Sequence, residues 1–149
     1  MKHIKKTLFV AALCSASIAA QAATPASLSV SDCWIRALPG DLPSGGYFKV
    51  ANAGDQSVDL VGVATDAFET AMLHQTQSQG STSTMVMVDK APVPAHGSLT
   101  FAPGSYHVML ERPKQPLRIG TSIPLAFAFS DGEKVAVQCQ VKSAGTMSQ

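Results

Sequence analysis

Turn residues cut this chain into short apolar runs from Leu28 onward, and none of the runs carries the sustained i, i+3, i+4, i+7 pattern with caps that a long helix needs. Residues 28–38 (LSVSDCWIRAL) alternate and stop at Pro39-Gly40. Residues 47–52 (YFKVAN) stop at Ala53-Gly54-Asp55, and residues 58–64 (VDLVGVA) follow directly, so this pair reads as a hairpin. Further strand candidates are residues 70–76, 84–88, 98–101, 106–111, 122–129 and 135–141. The breaks between them fall at Gln79-Gly80, residues 92–97, Pro103-Gly104 and Asp131-Gly132. About nine strands joined by turns predict an all-β fold, an antiparallel Greek-key sandwich or small barrel.

The first 22 residues differ in kind. Lys2, Lys5 and Lys6 precede an apolar stretch over residues 7–20, and Ala20-Gln21-Ala22 has the small-x-small form of a signal-peptidase site. The expected organisation is a leader, residues 1–22, cleaved on export to the periplasm, and one domain, residues 23–149. The leader is too short to span a bilayer and no other run approaches ~18 apolar residues, so no membrane span is expected after cleavage. Lipidation at Cys14 fits poorly, because the bulky Leu13 stands where a small residue is needed.

Removing the leader changes the charge and the cysteine count. The whole chain holds 11 basic and 10 acidic residues. Three of the basic ones leave, and the remainder carries a net charge of −2. So few and balanced charges exclude a basic nucleic-acid platform. Cys33 and Cys139 remain, an even count that in an oxidising compartment reads as one disulfide tying the first strand to the last. A redox or metal-binding thiol pair is the alternative, and the CxxC spacing that tunes such thiols is missing.

Strand alternation then sorts the histidines and methionines. In Tyr106-His107-Val108-Met109-Leu110, burying Tyr106, Val108 and Leu110 turns His107 and Met109 outward together. Burying Leu73 likewise leaves Met72 and His74 on the other face, and Met85 and Met87 share a face opposite Val86. Thioether sulfur favours Cu(I) and imidazole binds copper well, whereas magnesium and calcium need carboxylates. Zinc is poorly served once the thiols pair, and a blue-copper site lacks the nearby thiolate it requires. Asp131, Glu133 and the other acidic residues are scattered singly, with no acid/base pair for hydrolysis, so an enzyme is not expected.

The order His74, ten residues, Met85, twenty-one residues, His107, one residue, Met109 reproduces His-X10-Met-X21-His-X-Met and resembles the signature of the PCu(A)C periplasmic copper chaperone family. Trp34-Ile35-Arg36-Ala37 is similar to the family's early Trp-x-Arg-Ala strand, and Gly46-Tyr47-Phe48 with Asn52 to the strand and turn after it. Residues 93–95 and 103–110 are similar to its hallmark segment. The resemblance implies a cupredoxin-like, immunoglobulin-like β fold that binds Cu(I) near its surface through His74, Met85, His107 and Met109. It also implies delivery to the CuA subunit of cytochrome c oxidase, alongside a Sco-type thiol copper protein, by ligand exchange. A monomer is expected.

Some alternatives stay open. Met87 replaces or supplements Met85 as a ligand. Gln75, Thr76 and Gln77 supply no further Met after the first His, His96 stands where the family usually has Gly, and Met147 alone in the tail argues against a second site. Met72 is expected to pack beside the site, His96 to be a solvated turn residue and Trp34 to be core. Copper storage or resistance, or a metal-free immunoglobulin-like interaction module, would use the same scaffold.

Overall fold

In the computed structural model residues 26–148 are described, and the expected leader, its cleavage point and Cys14 lie outside them. Every regular element among the described residues is a strand, and none is a helix that could cross a membrane. There are ten: β1 (Leu28–Arg36), β2 (Ser44–Asn52), β3 (Val58–Ala64), β4 (Phe68–Gln79), β5 (Thr82–Met87), β6 (Ala91–Val93), β7 (Gly97–Phe101), β8 (Tyr106–Pro113), β9 (Ser122–Phe129) and β10 (Lys134–Lys142). The strand beyond the expected nine is β6, three residues with a proline at its centre, too short for alternation to announce.

The strands hydrogen-bond in the order β5-β4-β8-β2-β1-β10-β9-β3-β6, with β7 also on β2. All pairings are antiparallel except β1 with β10. The path folds over on itself, β3 lying against β4 and β6 against β7, and encloses one apolar core. Phe48 sits at its centre, 4.3 Å from the Phe101 ring and 4.5 Å from the Phe127 ring between centroids, so β2, β7 and β9 are joined by aromatic packing.

The expected hairpin of residues 47–52 with 58–64 does not form: β2 pairs with β1, β7 and β8, while β3 pairs with β6 and β9. Asn52 is the cause. Its side-chain amide donates to the Gln56 carbonyl at 2.8 Å and to the Val93 carbonyl at 3.4 Å, and its Oδ1 accepts from the Gly54 amide at 2.9 Å. This buried knot closes a local turn of its own and hands the chain to the far layer instead of returning it beside β2.

The expected disulfide is present. Cys33 and Cys139, with Cα atoms 4.5 Å apart, join β1 to β10 beside a bulge that shifts the β1–β2 register after Ser31. Trp34 is buried as expected but lies apart from the Phe48 cluster, with its ring 4.5 Å from that of Tyr47 and the Lys142 ammonium 5.5 Å from its centroid.

Candidate functional site

Strands β5, β4, β8 and β2 are consecutive neighbours, and their register decides which side chains meet. His74 of β4 lies opposite His107 of β8 on one side and opposite Met87 of β5 on the other. Met72 lies opposite Met109, Thr76 opposite Met85, and Gly45 of β2 opposite Met109. Residues directly opposite share a face. Met72, His74, Met85, Met87, His107 and Met109 therefore all project from one side of the ladder, while Leu73, Val108 and Leu110 enter the core from the other.

This side is not uniformly open, which corrects the expectation that His107 and Met109 both turn outward. His107 is only 6% exposed, whereas Met85 and Met87 on the edge strand are 60% and 65% exposed. The difference comes from a cleft of about 110 Å³ whose walls include Leu38, Pro43 and Tyr47 as well as Met85, His107 and Met109. Met87 faces a separate depression with Met72. The register thus places Met87 opposite His74, and the cleft gathers Met85 with His107 and Met109.

Each of the two imidazoles leaves one buried ring nitrogen without a partner. The His107 Nδ1 lies 3.2 Å from the Ser105 carbonyl, which can only accept, so Nδ1 carries the hydrogen and Nε2 holds a lone pair. That Nε2 is buried without a partner, as is Nδ1 of His74, and the rings stand 5.7 Å apart between centroids. Burial, and next the neighbouring His107, hold the His74 pKa below its ordinary value against the opposing pull of Glu111. The neutral imidazole is the form able to coordinate a metal. No group of three His, Cys, Asp or Glu side chains gathers among the described residues, so imidazole and thioether are the donors that this face concentrates.

Two residues without a role in the sequence reading line the same cleft. Arg36 of β1 lies over the Tyr47 ring, its Cζ 5.3 Å from the centroid. Tyr47 is almost wholly buried, and burial raises its pKa while Arg36 pulls the other way. A Cβ on Gly45 would stand 2.5 Å from the Tyr47 hydroxyl, so only glycine lets this phenol lie across β2 toward the position opposite Met109. The Trp34-x-Arg36 strand was the visible signal, but its nearness to His107 depends on β2 lying between β1 and β8. His96 is a solvated turn residue as expected, with φ 52° and an ion pair to Asp55 at 2.8 Å.

The comparisons with known proteins cover most of the chain. The family described as "Putative lipoprotein LpqE-like" matches residues 28–141. The "Putative lipoprotein Lxx21020" of Leifsonia xyli subsp. xyli is 31% identical over 134 residues, 87% of this chain and 80% of that protein. The solution structure of CuI-DR1885 from Deinococcus radiodurans is similar at TM-score 0.62 and 31% identity, over 83% of this chain and 81% of that one. The apo PmoF2 PCuAC domain is similar at TM-score 0.69 and 22% identity, over 83% and 96%, and supports the fold alone.

Proposed function

We infer, starting from the fact that the chain belongs to the LpqE-like family, that it is a periplasmic Cu(I) carrier. His74 and His107 donate nitrogen, Met85 and Met109 donate sulfur, and Met87 is an auxiliary donor at the rim. The observation that carries this reading is the pair of buried, unpartnered imidazole nitrogens on facing strands, beside thioethers and away from any acidic cluster. A buried polar atom without a partner costs about 1–3 kcal/mol. A metal bound by both nitrogens, with His74 in the tautomer that leaves its Nδ1 unprotonated, removes that cost, and soft neutral donors favour Cu(I). The solved relative CuI-DR1885 carries Cu(I) in its own name and is 31% identical.

Cu(I) held by neutral donors, two of them exposed at an edge strand, can pass to an incoming thiolate by replacing thioethers one at a time. That is ligand exchange rather than catalysis. The recipient in this reading is the CuA centre of cytochrome c oxidase, with a Sco-type thiol protein as exchange partner. Anaerobic Cu(I) titration against a competing chelator tests the site. One equivalent bound by the wild type and a large affinity loss in His107→Ala with Met109→Leu are expected, and unchanged binding in that variant refutes the assignment. Deletion of the protein tests the destination: loss of oxidase assembly supports delivery, and loss of copper tolerance alone supports storage or resistance.

A further inference from the structure

The cleft that holds His107 and Met109 also contains a cation that no carboxylate among the described residues meets. Arg36 forms no ion pair with any carboxylate among the described residues, and no Asp or Glu lines the cleft. Its Nε is buried and has no acceptor. The Nη1 donates to the Met147 sulfur at 3.7 Å, a weak thioether acceptor, and the guanidinium also hydrogen-bonds the Tyr47 side chain, so neither of these acceptors is a carboxylate. Tyr47, whose ring centroid lies 5.3 Å from the Arg36 Cζ and whose side chain hydrogen-bonds it, braces the guanidinium, and Gly45 is the gap that lets Tyr47 lie there. A braced guanidinium whose Nε is desolvated and which meets no carboxylate among the described residues matches the two oxygens of a carboxylate in its fork of donors and in charge.

We propose that Arg36, braced by Tyr47, is the docking point for a carboxylate of the molecule that exchanges Cu(I) with this chain. The proposal rests on the carrier reading and adds the partner's chemistry: a thiol with an acidic group close beside it. In the exchange a copper–thiolate bond forms as a copper–thioether bond breaks, the thiol proton passes to solvent, and copper stays Cu(I). Arg36 acts before that step, as a positioning residue that holds the incoming thiol over Met109 and the more exposed Met85.

The test compares small thiols on the folded, disulfide-bonded protein. Cu(I) removal is timed with 3-mercaptopropionate, which carries a carboxylate, and with the neutral 2-mercaptoethanol. Arg36→Gln is expected to slow the first about tenfold relative to wild type and to change the second by less than about twofold, with Arg36→Lys between. Cu(I) affinity measured by chelator competition is expected to stay within about threefold, since Arg36 is not a ligand. Equal slowing of both thiols, or of neither, overturns the proposal. A second arm needs no copper: propionate titrated into the copper-free protein should shift the Arg36 Nε–H resonance, and an unmoved resonance overturns the docking point. If the wild type takes up no Cu(I), the carrier reading fails and this arm alone decides whether Arg36 binds a carboxylate.

Discussion

Cys33 and Cys139 lie buried where β1 meets β10, in the middle of the strand order, whereas Met85 and Met87 stand exposed on β5 at one end of it. The first region is covalently closed and backed by the core. The second is a largely exposed edge hairpin that turns at Gly80 and whose strand β5 pairs with β4. Between them β8 is paired on both sides and carries His107 and Met109. The candidate donors are thus graded from an enclosed strand to a rim. A cargo held on such a gradient is fixed from within and exchanged from without, and the closed region can stay still while the rim rearranges.

The sharpest way to break this contrast is to open the closed region. Cys33→Ala with Cys139→Ala should lower the unfolding free energy by about 2–5 kcal/mol, read as a fall in the urea midpoint, because the bond closes a loop with sequence separation 106. The fraction that stays folded should keep its Cu(I) stoichiometry. Within the gradient, His107→Ala should weaken Cu(I) on the order of 100-fold, equivalent to about 2.7 kcal/mol, because it removes an enclosed donor. Met85→Leu should cost only about tenfold by the same chelator competition. Equal losses at both positions would erase the distinction between enclosed and rim donors.

Acid provides a graded probe. His74 has a pKa lowered from 6.5 by burial and by His107, so the unfolded chain takes up its proton more readily than the folded one. Its contribution to stability is present above pH 6.5 and is lost as pH falls through the depressed folded value. Urea midpoints measured downward from pH 7 should fall less steeply in His74→Gln than in wild type. The smallest effect concerns neither region. His96 adopts φ 52°, where an L side chain is strained, and His96→Gly should change stability by at most about 1 kcal/mol, since relief of strain is offset by a looser unfolded chain.

Period-two alternation made most strands legible, and it placed His107 with Met109 and Met85 with Met87 on shared faces. Alternation reports a face, not what covers it. The burial of His107 depends on Tyr47, Leu38 and Pro43, which reach it because β2 pairs with β8 across half the chain. The spacing of the motif selects Met85, whereas only cross-strand register reveals that Met87 lies opposite His74. The β2–β3 hairpin expected from the turn residues does not form because Asn52 spends its side chain on backbone groups of a local turn and of β6, a choice that turn residues alone do not reveal. Arg36 stands in plain view in a recognisable strand, but that no carboxylate among the described residues pairs with it is a property of the folded neighbourhood.

The bond between Cys33 and Cys139 also makes the chain between them a ring in the topological sense. A protease that cuts any one of the enclosed turns, even the exposed tip at Gly80, opens that ring without releasing a fragment. A singly nicked molecule keeps all its strands on one covalent body, with His74 and His107 still tethered to the same core, and survives an injury that would divide an unbridged sheet in two.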